Sequence, residues 1–372
     1  HVYSKSRLTL MIHYLRERSL PRSQYPIDYV TLFQLPEEDL KIIQQDYEKI
    51  ITKIRDGCAH ELSEGDTMYL GACTKGSTAA KSLMPQTFYA PYIKAPKRAF
   101  CLKQSYMTYI LNKYVLNKID TYESIVHSSE ELEAQTFEEL IKGKIRPHIN
   151  KSVAELCKEF EIEQKGKKEA KNLYSMLAYR MLGIKSNKAE EFVKANIEVK
   201  AVRFEENNTI TESTSFPAFS FTEFANEEWE DSAFNNLIGS KRFFFVVFKK
   251  IEDEYYLTGS QLWNLPVEDL EIVREGWEAI QKVVRDGVIL TKKPIKNGTD
   301  FIVKNNFPKK SNNKIIHIRP HSDKRYYVLE NGEIIGENYK DADFLPDGRM
   351  MTKQCFWLNN DYLQEVLTKL FD

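Results

Sequence analysis

Apolar residues recur at helical spacing in two stretches of this chain, Leu35 to Gly57 (LPEEDLKIIQQDYEKIITKIRDG) and Leu265 to Gly287 (LPVEDLEIVREGWEAIQKVVRDG). The two are offset by 230 positions without a gap and share eleven of twenty-three residues. Each predicts a helix: proline opens the first turn, carboxylates follow near the positive end of the helix dipole, and glycine closes it. An apolar strand candidate precedes each, Leu8 to Tyr14 in one copy and Phe243 to Phe248 in the other. A basic segment follows each, then a Lys-Gln pair ahead of another helix, Lys103-Gln104 and Lys353-Gln354. Likeness on this scale is expected of a duplicated domain rather than a short solenoid unit. Residues 136–241 precede the strand of the second copy, and seven residues precede that of the first. The first copy is therefore expected to lack its amino-terminal part, and the polar stretch Asp120 to Glu133 is expected to link the copies.

A further alternating segment, Ile197 to Phe204 (IEVKAVRF), predicts a strand with Glu198 and Lys200 on one face. Glu191 stands seven residues earlier. Two carboxylates with a Glu-x-Lys strand form an arrangement by which metal-dependent nucleases hold Mg²⁺: the carboxylates bind the hard cation, and the lysine steadies water and developing phosphate charge. A charged surface strand is the alternative reading of the same pattern.

Composition is that of a globular chain, with 42% hydrophobic, 12% aromatic and 29% charged residues and a net charge of −1. The distribution of charge says more than its sum. Gly71 to Lys103 carries six basic residues and no acidic one, Lys292 to Arg325 carries ten against two, and Glu205 to Asp231 holds eight carboxylates and no lysine or arginine. Such segregation gives positive patches suited to a polyanion, with solvated basic loops as the alternative. The five cysteines (Cys58, Cys73, Cys101, Cys157, Cys355) form no CxxC pair and are expected as reduced thiols in a cytoplasmic protein. No apolar run is long enough to span a membrane, and no signal peptide is visible.

The words HELSEG (His60–Gly65), CTKG (Cys73–Gly76), KRAFCLKQSYMTYIL (Lys97–Leu111), NEEWEDS (Asn226–Ser232) and HIRPH (His317–His321) closely resemble the two-copy GATC restriction endonucleases of the MutH/Sau-3AI family. The resemblance implies an α/β fold of two restriction-endonuclease-like (MutH-like) domains, each a mixed sheet flanked by helices. The first, residues 1–125, would be incomplete; the second, 126–372, would bind DNA as an allosteric partner. It implies Mg²⁺-dependent hydrolysis of double-stranded DNA at GATC sites. Its implied partners are that duplex and the segment expected before His1, or a second chain.

Carried over by residue, the resemblance places an accessory catalytic lysine at Lys5 and the metal carboxylates at Glu191 and Glu198, with Lys200 as the partner lysine. A helix glutamate of active members falls at Tyr179, and the family's aspartate position is Glu191, so the second copy is expected to be a decayed active site. The family's DNA-reading turn falls at Arg319-Pro320-His321 and at Cys73-Thr74-Lys75. Arg319 and Lys75 are the base-reading candidates, since Arg or Lys against guanine is the commonest specific contact. Lys103 and Lys353 are expected to hold phosphates. A tyrosine inserted near the bases in the family falls at Cys101 and near Met351. His317 and His321 are expected as strand and groove residues, with a metal pair as the alternative. A non-catalytic DNA-binding regulatory module is the rival reading, and an RNA-binding scaffold a third.

Overall fold

The computed structural model describes residues 7–17, 19–75, 82–88, 92–118, 123–163, 172–210, 214–295, 301–322 and 324–370. Strands β1 (Leu8–Tyr14) and β2 (Ile27–Gln34) pair antiparallel and lead into helix α1 (Glu37–Arg55). Strand β3 (Leu70–Thr74) follows, then the short strands β4 (Leu83–Pro85) and β5 (Lys94–Pro96), then β6 (Arg98–Leu102) and helix α2 (Gln104–Ile110). Helices α3 (Phe137–Ile145), α4 (Val153–Glu159), α5 (Leu173–Met181) and α6 (Glu190–Ala195) come next.

Strand β7 (Ile197–Phe204), β8 (Thr214–Ala218), and helices α7 (Phe221–Phe224) and α8 (Ala233–Ser240) lead to the long strands β9 (Arg242–Ile251) and β10 (Glu254–Trp263) and to helix α9 (Leu270–Asp286). After α9 come β11 (Thr291–Pro294), β12 (Phe301–Lys304) and β13 (Ile316–Pro320), and then four short strands, β14 (Tyr327–Val328), β15 (Ile334–Ile335), β16 (Ala342–Phe344) and β17 (Met350–Thr352). Strand β18 (Gln354–Leu358) and helix α10 (Asn360–Leu367) end the series. The protein is thus a mixture of sheets and helices.

The predicted strands Leu8–Tyr14 and Ile197–Phe204 are observed with those bounds, and Phe243–Phe248 lies inside β9. Both predicted long helices form, the second after one 3₁₀ turn at Val267–Asp269. β9 lies between β10 and β7, and Phe243 to Phe248 are fully buried. β1 pairs with β2 in a two-stranded sheet and leaves Leu8, Leu10, Ile12, Val30 and Leu32 more than half exposed. The register puts these five residues on one face of the hairpin, while Met11 and Phe33 are buried on the other.

Two compact units are distinguished. One comprises His1–Ala201, Ser240–Val246 and Gly259–Asn264; the other comprises Val202–Gly239, Val247–Thr258 and Leu265–Asp372. Residues 126–201 thus cluster with the first unit, whereas the division after residue 125 follows the sequence repeat. The stretch expected as a linker is packed where it is described: Ile125, Val126 and Leu132 are buried. Its anchor is Glu191, which explains why a polar segment stays in place. Among the described residues no helix is long and apolar enough to cross a membrane.

One expectation is overturned. Cys73 and Cys101 are joined in a disulfide across β3 and β6, while Cys58, Cys157 and Cys355 are not disulfide-bonded. The register pairs Cys73 with Ala99 and Cys101 with Gly71, so the two cysteines are diagonal neighbours on one face, within reach of each other.

Candidate functional site

The strand that carries the predicted reading turn is built twice on one plan. β3 pairs antiparallel with β6 from Leu70↔Leu102 to Thr74↔Arg98, and β13 with β18 from Ile316↔Leu358 to Pro320↔Gln354. One step further, the Lys75 N–H donates to Lys97 O at 2.7 Å and the His321 N–H to Lys353 O at 2.8 Å. Cys73-Thr74-Lys75 and Arg319-Pro320-His321 are therefore structural equivalents. Thr74, Lys75, Arg319, Pro320 and His321 are all exposed at the strand ends.

The diagonal pair beside the turn differs in chemistry between copies. Where the first unit has the Cys73–Cys101 disulfide, the second has the Arg319 guanidinium 5.9 Å over the Trp357 ring. Stacking on an indole holds the guanidinium in one orientation with its donors free at the edge, which suits a bidentate contact. By register the counterpart of Cys101 is thus Trp357, and not Met351 as the sequence suggested. Met351 is buried in β17.

The same register corrects the pairing of Lys103 with Lys353. Lys353 matches Lys97, while Lys103 matches Asn359: the Lys103 N–H donates to Tyr69 O, and the Asn359 N–H to Ile315 O. Lys103 is buried, and its ammonium donates to the carbonyls of Glu64 and Thr67. Burial pushes its pKa well down, with the neighbouring Arg242 charge adding to the effect. It is not placed to meet a phosphate; it fastens the loop ahead of β3. Asn359 does that task in the second copy, donating to Asn313 O and Lys314 O at 2.7 and 2.9 Å. Lys353 is half-buried and donates to Lys340 O at 3.1 Å.

The entry to each predicted reading strand is pinned by a polar side chain, buried in the first copy and half-buried in the second. In the first copy Asp46 of α1 accepts from the N–H groups of Met68, Tyr69 and Leu70 at 2.6, 2.6 and 2.9 Å. In the second, Asn313 accepts from the N–H groups of Ile315 and Ile316 at 3.0 and 2.9 Å and donates to Ile272 O. Position 276, the repeat partner of Asp46, is glycine. A Cβ there would stand 2.7 Å from Asn313 Nδ2, so the helix yields the space that Asn313 fills.

His317 is a buried strand residue, with Nδ1 2.5 Å from Asn359 Oδ1. Burial lowers its pKa, opposed by the bond to Asn359 and aided by the Arg319 and Lys310 charges. A metal pair with the exposed His321 is not what the strand presents.

The Glu-x-Lys strand forms as expected, with Ile197 and Val199 buried and Glu198 and Lys200 half-exposed on the other face. Asn187 secures it, accepting from the Val199 N–H and donating to Ile197 O. Glu198 Oε1 meets the Lys200 ammonium at 2.6 Å, and Oε2 meets that of Lys241 at 2.7 Å. Burial opposes the carboxylate charge, but the two lysines outweigh it and hold its pKa below the ordinary value. The Tyr179 hydroxyl is held protonated, first by burial and then by the Glu198 charge.

Glu191 is used elsewhere. It is buried at the start of α6, where Oε1 accepts from Ser124 Oγ and the Val126 N–H, and Oε2 from the Ile125 N–H. The chain then turns through Asn196 in the left-handed region, at φ 54°, before β7 begins. Seven residues of separation thus do not bring the two carboxylates to one ion. Glu191 is spent on the chain before α3, Glu198 has an ammonium on each oxygen, and Tyr179 offers a phenol, so these residues do not fit Mg²⁺ as a metal centre.

Among the described residues one trio of potential ligands lies close together, Glu64, Cys73 and Cys101, but two of its members form the disulfide. Lys5 lies outside the described residues.

Sequence reasoning missed Lys241. The repeat carried the signal, since Ser-Lys stands just ahead of the strand in both copies, at Ser4-Lys5 and Ser240-Lys241. The Arg242 N–H donates to Asn196 O, which sets Lys241 beside the start of β7.

No family model matches the chain. The chain is 38% identical, over 99% of its residues and 78% of the other protein, to the type II restriction enzyme Sau3AI of Staphylococcus aureus. Identity at that level along nearly the whole chain places it in the family of Sau3AI-like type II restriction endonucleases.

Proposed function

We propose that the restriction activity of this family is directed here at GATC in double-stranded DNA, with Mg²⁺ as the metal of hydrolysis, and that the two copies are MutH-like domains. In this reading Arg319 and Lys75 reach base edges from equivalent strand ends, and Pro320 and His321 shape the turn. Thr74 and Lys353 meet the backbone, as does the exposed Lys97. The observation that carries the reading is the shared register, which brings Arg319 and Lys75 to the exposed mouths of two like strand pairs. Exposed Lys94 and Lys97 in the first unit, and Lys292, Lys293, Lys304, Lys324 and Arg325 in the second, supply charge for a polyanion.

The second copy binds without cutting, because Glu198 stands among lysines, Glu191 is taken up by residues 124–126 and Tyr179 offers a phenol. The second copy is accordingly a DNA-binding module that leaves duplex intact, which also describes the regulatory-module reading. The test incubates labelled duplex, with and without one GATC, with the chain and Mg²⁺ or Mn²⁺. Binding that favours GATC is expected, and any strand scission should be the same in Glu198→Ala. Specific cutting abolished by Glu198→Ala would overturn the assignment of the second copy.

A further inference from the structure

We propose that Glu198, Lys200 and Lys241 form a metal-independent site for a backbone phosphate of duplex DNA, with the Lys241 ammonium standing beside Glu198 where a divalent cation would otherwise sit. The inference rests on the DNA-binding reading above and deepens it.

The cluster carries two ammonium groups and one carboxylate, so its charge is net positive. A site built to attract a dication would have the opposite sign. Each carboxylate oxygen already has a cationic partner, at 2.6 and 2.7 Å, and a dication would have to displace one of them. An ammonium has three hydrogens to donate, and each lysine gives one to Glu198. The remainder can reach a phosphate, since the Lys200, Lys241 and Glu198 side chains are 30%, 20% and 30% exposed. Held this way the lysines lose little freedom on binding, and the carboxylate keeps two like charges together in the absence of ligand. Tyr179, protonated next to Glu198, adds a neutral hydroxyl to the same surroundings.

The position of Lys241 is fixed by the fold rather than by a flexible loop. It lies between the end of α8 and the start of β9, with the next residue's N–H bonded to Asn196 O. A lysine so placed is part of the site whatever the metal concentration. Phosphate recognition at this point should then be insensitive to chelation.

The experiment measures anisotropy of a labelled 20-base-pair duplex with one GATC, at fixed ionic strength, in EDTA and in Mg²⁺. Affinity of the unaltered chain is expected to agree within about twofold between the two, and Lys241→Ala to weaken it about tenfold in both and reduce the salt slope by about one. Lys241→Arg should retain most of the affinity, and an unchanged melting temperature would show that Lys241→Ala still folds. Should the alanine variant not fold, loss of affinity in Lys241→Gln with the arginine variant intact serves instead.

Three results would overturn the proposal. One is Mn²⁺ binding, followed by electron paramagnetic resonance, that Glu198→Gln abolishes. Another is Lys241→Ala with unaltered affinity and salt slope. The third is competition by low-millimolar inorganic phosphate that Lys241→Ala removes, which would assign the site to a free anion. Arg319→Ala separates this inference from the reading it rests on: loss of GATC preference there with no effect at Lys241 sinks the phosphate site alone. An effect at Lys241 without any GATC preference in the unaltered chain sinks the specificity and leaves the site standing.

Discussion

Replacing Asp46 with alanine should loosen the first reading strand more than any surface change near it. The carboxylate is buried in α1 and accepts three backbone N–H groups, from Met68, Tyr69 and Leu70. Alanine leaves all three donors without their partner at the point where the chain enters β3. A buried donor left unmade costs about 1–3 kcal/mol, and water entering the vacated space recovers part of that, so a loss of roughly 3–5 kcal/mol is expected. Asparagine should lose less, about 2–3 kcal/mol, because its amide oxygen can still accept two of the bonds. The effect should be local. A chain of two units need not unfold in one step, so a single unfolding curve would blur it. Hydrogen exchange resolves the question: the amides of Met68, Tyr69 and Leu70 should lose protection in Asp46→Ala, while those of Ile315 and Ile316, held by Asn313, keep theirs. Duplex affinity should fall as well, since Lys75 stands at the far end of the same strand. Unchanged protection at residues 68–70, or a loss below about 1 kcal/mol, would refute the view that this carboxylate holds the strand.

Arg319→Ala should cost about 1–3 kcal/mol on GATC duplex and little on a scrambled one, whereas Lys353→Ala should weaken both alike; equal losses in competition binding would show the reading turn misassigned. If each unit meets about five phosphates, affinity should drop roughly a thousandfold between 50 and 200 mM salt, and a flat response would remove the electrostatic argument. His317 has a lowered pKa in the fold, so its contribution is intact above the unfolded value of about 6.5 and fades as pH falls below it, by at most about 1.4 kcal/mol per pH unit. Melting curves from pH 7.5 to 5.5 should show that slope, and His317→Gln should flatten it. Reduction of the Cys73–Cys101 bond, which spans 28 residues, should remove up to about 3–4 kcal/mol on the loop-closure model. A dithiol should then lower the melting temperature of the unaltered chain and leave Cys73→Ser unaffected; an equal response in both would show that the disulfide does not hold β3.

What the sequence made legible is what backbone periodicity governs. An apolar run gave β1 and alternation gave β7, each with its ends, and the 3.6-residue pattern gave α1 and α9, because the period of the backbone is left in the residues that it carries. The exposed strand-end residues Arg319 and Lys75 were also within reach, since a turn motif keeps its local order. Long-range partners were not. Glu191 looks like the first half of a carboxylate pair, yet its oxygens answer three donors at residues 124–126, far back in the chain. No local pattern records that choice.

The two Lys-Gln pairs show why sequence likeness between the copies misleads at this site. Lys103-Gln104 and Lys353-Gln354 match as letters, but hydrogen-bond register pairs Lys103 with Asn359 and Lys97 with Lys353. The backbone needs donors after β6 and β18 for the carbonyls of the loop before the reading strand, and either an ammonium or an amide can supply them. Acceptors for the strand's first N–H groups come from the helix in one copy, through Asp46, and from the loop in the other, through Asn313 over Gly276. A disulfide in one copy and a guanidinium on an indole in the other brace the same diagonal. Each of these positions answers a need of the backbone that several residue types meet, so the copies diverged in letters while the geometry persisted. Arg319 and Lys241 differ in this respect, for neither serves chiefly to satisfy the backbone around it. The Arg319 charge is exposed and that of Lys241 is half-buried beside Glu198, and it is at these two residues that substitution should alter DNA binding before it alters the fold.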